Sequence, residues 1–306
     1  MQPSIEIVLS KSLRLVLGHV HFVRIHRLGE SWTVDEQSEE EGSPMGKFVD
    51  DTSLEDIGNH RWKACLQKGW RIGRVPNGGY VLAIVGRAIS QSLSGADPLS
   101  INAFYLEPTT LGEAEIHVEI LRLGKGTQFA TARMYQEGSL KVIANAAYTD
   151  LDKLKGPTNT VMTMPDVPSF DAVDVPAHNV LEIHSTIDTR IVKGREFFDS
   201  QEPTGTGEFI AYMQHVDGAP IGVIDLLMFG DMIPPPSFTL VPNVGWVPTV
   251  EMTIQLRGAP APGPILCHAR SHTLIRGVTE QDCEIWDSNG DLVAVGRQTM
   301  KVRSIS

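Results

Sequence analysis

The chain has 306 residues and a net charge of −11, with 26 Lys and Arg against 37 Asp and Glu. That length holds one large core or two domains of roughly 100 to 150 residues each. The acidic balance, with no basic run, excludes nucleic acid as the main partner, because counterion release needs clustered cations.

Taken in chain order, Met1 to Arg27 carries Lys11, Arg14, Arg24 and Arg27 against Glu6, and an acidic run from Asp35 to Glu41 follows. Its longest apolar stretch is too short and too often interrupted by charge for a membrane span, and a small-residue cleavage site is missing. Residues 1–45 are therefore expected to be an unassigned, poorly ordered extension or a misassigned start, with a mitochondrial leader as the alternative. From 46 to 151 a first module is expected. Residues 77–93 place Val81, Leu82, Ile84, Val85, Ala88 and Ile89 around most of a helix, which predicts burial on nearly every side. The runs 100–106, 113–123, 127–135 and 140–148 are rich in Ile, Val, Phe and Tyr, and turn signals at Pro108, Gly124-Lys-Gly126 and Glu137-Gly138 separate them. One buried helix followed by such a meander predicts an antiparallel sheet wrapped round the helix.

Residues 152–178, with Pro157, Pro165, Pro168 and Pro176, read as a linker over the surface. A second module, 179–306, repeats the pattern, with strands near 182–191 and 208–216, a helix at about 219–229, and strands near 249–257, 265–276, 281–287 and 291–303. Pro234-Pro-Pro236 lengthens the connection after the helix, where a loop can help form a substrate entrance. Three offsets align the copies. Asn77 laid on Asp217 sets Val85 opposite Asp225; Leu106-Glu-Pro laid on Leu256-Arg-Gly sets Leu99 opposite Thr249; Leu140 laid on Leu292 sets Ala146 opposite Gln298. Only the second copy is polar at all three places, which points to a single active site.

At Trp70-Arg-Ile-Gly-Arg-Val-Pro-Asn-Gly-Gly-Tyr-Val-Leu-Ala, followed by Pro98-Leu-Ser-Ile-Asn-Ala-Phe-Tyr-Leu-Glu-Pro, the chain resembles the first half of the double hot-dog acyl-CoA thioesterases of the thioesterase II-like group. Ile224-Asp-Leu, Pro248-Thr-Val-Glu and Val295-Gly-Arg-Gln298 resemble the catalytic half. The resemblance covers roughly 62–151 and 208–303. It implies an α+β fold of two tandem hot-dog subdomains, each a long helix wrapped by an antiparallel sheet. It also implies hydrolysis of acyl-CoA to free acid and coenzyme A, with an Asp, a Thr and a Gln holding the attacking water, which fall on Asp225, Thr249 and Gln298. The helix start Asp217-Gly-Ala-Pro220 and Pro248 directly before Thr249 depart from the family pattern.

The chemistry suits these residues. A thioester yields to an oriented, partly deprotonated water, and a partly buried carboxylate among Val223, Ile224, Leu226 and Leu227 is a suitable general base. Thr249 and Gln298 supply the groups that fix the water. Backbone N–H groups of Gly78 and Gly79, opening the first helix, are the candidate oxyanion donors, although the same glycines also serve close helix packing. Asn77 reads as the helix N-cap. Arg71, Arg74 and Lys125 are candidate contacts for coenzyme A phosphates, against the plainer reading of solvated loop charges.

Cys65, Cys267 and Cys283 cannot all pair and none lies in a CxxC spacing, so they read as buried thiols of an intracellular protein. Cys267, His268 and His272 are close in sequence, but adjacent strand residues face opposite sides and a fourth ligand is missing, so no metal is expected. No GxSxG elbow, Walker loop or dinucleotide fingerprint occurs, and no cofactor is expected. The expected partner is the acyl-CoA substrate, with a homo-oligomer in keeping with the fold. Ser304-Ile-Ser306 is not a peroxisomal address, which leaves the cytoplasm as the expected location. Two other readings stay open: an acyl-thioester-binding protein without turnover, and a hydratase or dehydratase of enoyl thioesters, which needs a histidine near Asp225. His215 is the nearest in sequence.

Overall fold

The computed structural model describes residues 23–28, 31–36, 46–174, 181–200 and 202–303. The chain divides into two units, Met1–Pro44 and Met45–Ser306. In the first, β1 (Val23–Leu28) and β2 (Ser31–Glu36) form an antiparallel hairpin that closes with Leu28 opposite Ser31. The rest of the 1–45 extension, the end of the proposed linker and Ser304-Ile-Ser306 lie outside the described residues.

The second unit begins with α1 (Lys47–Asp51), β3 (Glu55–Asp56), β4 (Arg61–Leu66), β5 (Arg71–Ile72) and β6 (Val75–Pro76). Then come α2 (Gly78–Ser92), β7 (Asp97–Tyr105), β8 (Gly112–Leu123), β9 (Gln128–Gln136) and β10 (Ser139–Thr149). Its later part holds β11 (Ile187–Lys193), α3 (Arg195–Ser200), β12 (Glu208–His215), α4 (Asp225–Phe229), β13 (Thr249–Leu256), β14 (Ile265–Arg270), β15 (Leu274–Ile275), β16 (Val278–Trp286) and β17 (Leu292–Lys301).

α2 forms because Asn77 caps it, its side chain accepting from the Tyr80 N–H at 2.9 Å, and because an unbroken apolar run follows. Val81, Leu82, Ala83, Ile84 and Val85 are all essentially inaccessible to solvent. The second helix is much shorter than the 219–229 segment the sequence suggests. Residues 218–222, with Gly218 at φ +72° and Pro220 within them, take no helical conformation, 223–224 form a turn, and only 225–229 wind into α4. The two helices pack against each other at contact distance. A Cβ on Gly79 would lie 2.4 Å from the Met228 carbonyl oxygen.

Around the helices the large strands form one antiparallel sheet of 13 strands among the described residues, in the order β11-β12-β14-β16-β17-β13-β7-β10-β9-β8-β4-β3, with β15 on β16. The seam between the halves is the antiparallel pair β7–β13, with Ile101 opposite Ile254 and Ala103 opposite Met252. The inner faces of both halves and both helices contribute to a single apolar core. The connecting segment 152–174 is not a free strap: Met162, Met164, Val167, Phe170 and Val173 pack on Ile210, Tyr212, Leu266 and Trp286 on the outer side of the sheet. No helix among the described residues is long and apolar enough to cross a membrane.

Candidate active site

A cavity of about 780 Å³ opens beside the first turn of α2. Its walls include Val75, Val81, Tyr105, Ile183, Ile191, Phe198, Met232, Phe238, Trp246 and Met300, which gives it an apolar lining. Into this lining come a few polar groups from both halves: Asn77 and Gly78 at the start of α2, Asp231 just past α4, Thr249 on β13 and Gln298 on β17.

These groups form one hydrogen-bonded chain. Thr249 Oγ1 donates to Gln298 Oε1 at 2.6 Å, and Gln298 Nε2 donates to Asp231 Oδ1 at 3.0 Å. The other carboxylate oxygen, Oδ2, accepts from the Gly79 N–H at 3.0 Å and from Asn77 Nδ2 at 3.2 Å. Asn77 Nδ2 also donates to the Asp231 carbonyl at 3.1 Å, so the helix cap and the carboxylate fix each other. Tyr105 OH donates to the Gly78 carbonyl at 2.7 Å and steadies the same turn. Thr249 reaches this network because β13 bulges between Thr249 and Glu251, which pairs Thr249 with the inward-facing Met300. Pro248 immediately before it cannot donate a strand hydrogen bond, which suits a strand that starts irregularly.

Asp231 is surrounded by protein on the sides away from the cavity, and this desolvation lifts its pKa from 3.8 to about 6 against the lowering pull of Gln298, Gly79, Gly78 and Asn77. A carboxylate tuned to titrate near 6, held by a Gln that a Thr in turn anchors at the wall of an apolar cavity, is equipped to take a proton from water. Burial beside Asp231 and Glu251 pushes the Tyr105 phenol well above its ordinary value, so Tyr105 stays a neutral donor.

The sequence comparison puts Asp225 with Thr249 and Gln298; the structure brings Thr249 and Gln298 together and sets Asp231 beside them instead. Asp225 is 5 % exposed and is absent from the cavity wall. Its Oδ1 meets His215 Nε2 at 2.6 Å and its Oδ2 accepts from the Gly222 N–H at 3.1 Å, closing the turn that leads into α4. The histidine required by a hydratase is thus present, yet His215 is itself buried and walled by Phe48, Trp70 and Phe229 at ring distances of 5.5, 6.4 and 5.7 Å. Asp225→Ala is expected to destabilise the fold by about 1–3 kcal/mol, because it strands the buried His215 ring nitrogen. Urea denaturation measures this. A large loss of turnover at unchanged stability would instead return Asp225 to the chemistry.

Other expected contacts also change. The Gly79 N–H, a candidate oxyanion donor, already serves the Asp231 carboxylate. Arg71 is held by Glu182 in a two-pronged ion pair, with one contact at 2.8 Å, and Lys68 joins the same carboxylate at 3.2 Å. Arg74 lies exposed in the turn between β5 and β6, and Lys125 in the turn between β8 and β9. None of Arg71, Arg74 and Lys125 lines the cavity; the cations that do, among the described residues, are Arg195, Lys301 and Arg303. Cys267 points into the core while His268 faces outward to Glu208 at 2.5 Å. Cys65 is exposed rather than buried; Cys267 and Cys283 are buried, and all three are free thiols.

Residues 66–149 match the family described as the acyl-CoA thioesterase N-terminal domain, and residues 162–302 match the acyl-CoA thioesterase C-terminal domain. The chain belongs to the acyl-CoA thioesterase family. Each half therefore matches one domain of that family, and the cavity lies where residues of the two domains meet. Among solved structures, a protein described as a thioesterase II from Thermobifida fusca YX superposes with a TM-score of 0.77 at 25 % identity, covering 86 % of this chain and 99 % of that one. A hot-dog protein of unknown function from Alicyclobacillus acidocaldarius follows at 0.76 and 21 %, covering 85 % and 98 %, and supports the hot-dog fold of this acyl-CoA thioesterase family member. The thioesterase-like protein TwmA of Talaromyces wortmannii is 28 % identical over 155 residues, which spans 43 % of this chain and 44 % of that relative, less than half the length of either.

Asp231, on the cavity wall and bonded to Gln298, is a residue that sequence reasoning did not single out. A signal for it exists: Pro76-Asn-Gly78 with Gly86-Arg87 aligns without gaps on Pro220-Ile-Gly222 with Gly230-Asp231. In that frame the polar residue of the second copy faces Arg87 of the first.

Proposed function

We propose that the protein hydrolyses acyl-coenzyme A thioesters to free acid and coenzyme A by direct attack of water, with Asp231 as general base. In this reading its two halves are tandem hot-dog modules that share one site. The observation that carries it is the Asp231 carboxylate, lifted to about 6 and joined through Gln298 to Thr249 at the wall of an apolar cavity. Asp231 takes a proton from a water that Gln298 and Thr249 orient, and the hydroxide equivalent adds to the thioester carbon. Negative charge that develops on the carbonyl oxygen is favoured by the positive end of α2, whose first turn borders the same cavity. Collapse of the adduct breaks the carbon–sulfur bond and returns the proton to the departing thiolate. No nucleophilic serine or cysteine is required.

Thiol release from a panel of short to long acyl-CoA substrates, by the parent and by Asp231→Asn, tests the proposal. Turnover by the parent and its loss in the variant support it. Absence of thiol release by a folded parent across the panel refutes it.

Arg195, Lys301 and Arg303 are the cations placed to meet the carrier's phosphates. The double substitution Lys301→Ala with Arg303→Ala is expected to raise KM for acyl-CoA roughly threefold to tenfold at low salt, with the effect fading at high salt. KM for the matching N-acetylcysteamine thioesters, which carry no phosphate, is expected to stay put.

A further inference from the structure

Beyond Gln298 the cavity wall holds a carboxamide that the protein leaves unpaired. Gln281 on β16 is the direct cross-strand partner of Gln298 on β17, so both side chains leave the same face of the sheet. Gln298 commits its amide to Thr249 and Asp231. Gln281 is 1 % exposed and lines the same cavity, and neither its Oε1 nor its Nε2 has a hydrogen-bond partner within the protein. His184, on the wall of the same cavity, likewise has a buried Nδ1 without a partner, and burial pushes its pKa down, which favours the neutral ring.

An unpaired buried amide carries a desolvation cost that nothing in the protein offsets. A plain hydrocarbon chain seated against Gln281 would leave that cost in place, whereas a hydroxyl answers both atoms: it donates to Oε1 and accepts from Nε2. The location selects the acyl side of the substrate rather than the carrier. Gln281 is deep in the wall, while Lys301 and Arg303, which would meet the carrier, are exposed. It also stands one strand spacing, ~5 Å, from Gln298, which brings it near the acyl carbons next to the attacked carbonyl.

We propose that Gln281 is a specificity residue, and that the cavity is built for thioesters whose acyl chain carries a hydroxyl close to the thioester carbonyl. This rests on the hydrolase reading for its substrate class, and its test is separable from it. Non-hydrolysable thioether analogues of 3-hydroxyacyl-CoA, 3-oxoacyl-CoA and plain acyl-CoA of equal chain length are titrated by calorimetry into the parent and into Gln281→Leu. The parent is expected to bind the hydroxy analogue about tenfold or more tightly than the plain one, the size of one well-made hydrogen bond. The oxo analogue, which satisfies only Nε2, is expected to fall between them. Gln281→Leu is expected to remove the ranking, chiefly by weakening the hydroxy analogue. Where the variant does not fold, the ranking in the parent alone decides.

Equal binding of hydroxy and plain analogues by the parent overturns the proposal. So does an equal loss for all three in the variant, which would assign Gln281 to the carrier arm or to the support of Gln298. Thiol release without a hydroxyl preference defeats this inference and leaves the hydrolase reading standing. A hydroxyl preference in binding with no thiol release from any thioester does the reverse.

Discussion

Asp231→Asn is expected to lower kcat by on the order of 10²-fold or more, the size associated with loss of a general base. The parent's kcat/KM is expected to rise with pH along a limb centred near 6 and to level off above 7, because only the ionised carboxylate accepts a proton. The same displaced pKa has a stability consequence of opposite sense. A carboxyl whose folded value lies above its unfolded value of 3.8 contributes fully to stability below that value, and the contribution is lost as pH rises through about 6. The rise corresponds to at most about 3 kcal/mol. Asn, which never ionises, escapes that loss, although its NH₂ faces either the Gln298 donor or the Gly79 and Asn77 donors, depending on how the amide is turned, and gives part of the gain back. The variant is thus expected to gain on the parent in melting temperature as pH goes from 4 to 7.5 while its activity collapses. A variant that keeps the parent's rate and pH limb would remove Asp231 from the chemistry.

Gly79→Ala is expected to be the most damaging of the small substitutions. Its new Cβ would sit 2.4 Å from the Met228 carbonyl oxygen and 2.9 Å from Asp231 Cβ, so backbone has to move. The helix gains roughly 0.5–1 kcal/mol from losing a glycine, and the overpacking costs about 1–3 kcal/mol or more. Because Gly79 also donates to the carboxylate, the displacement reaches the reacting groups, where a shift of ~1 Å is worth about 10² in rate. Chemical denaturation and kcat, measured together, are expected to fall together. Gly86→Ala is the contrast: its Cβ meets the end of the Leu227 side chain at 2.5 Å, which can rotate away, so a smaller cost is expected. Full activity and stability in Gly79→Ala would mean that the two helices are not held as closely as these contacts require.

The difference between Asp225 and Asp231 explains what was legible. The long helix α2 and the four strands after it are plain from apolar periodicity and turn residues, because each is specified locally. The register between the copies is not local. Asn77 and Asp217 are both cap-type residues and invite alignment, yet Asp217 accepts from the Lys47 N–H at 2.7 Å and from the Ala219 N–H at 3.0 Å, closing a different turn. Moving the frame by four residues, about one helical turn, keeps an apolar pattern aligned with itself, so periodicity alone cannot reject the wrong frame. The paired prolines and glycines at 76, 78 and 86 and at 220, 222 and 230 can, since each constrains the backbone rather than the face. Thr249 and Gln298 stand out only through comparison of the copies, where Leu99 and Ala146 lie opposite, since their strands also carry Glu251, Thr253, Arg297 and Thr299. The bulge that turns Thr249 inward, and the ion pair that occupies Arg71, depend on partners far away in the chain.

The seam between β7 and β13 fixes how the cavity can exchange its contents. Two modules that share a sheet and a core cannot swing apart as jaws without tearing strand pairing and exposing apolar surface, so they have no hinge. One stretch of the wall that lies outside both the main sheet and the two packed helices is the segment from Pro234 to Pro248, which brings Phe238, Trp246 and Val247 to the cavity. In the proposed reaction, entry of the acyl group and exit of its acid are expected to involve that segment, and changes to it are expected to be felt in product release rather than in bond cleavage.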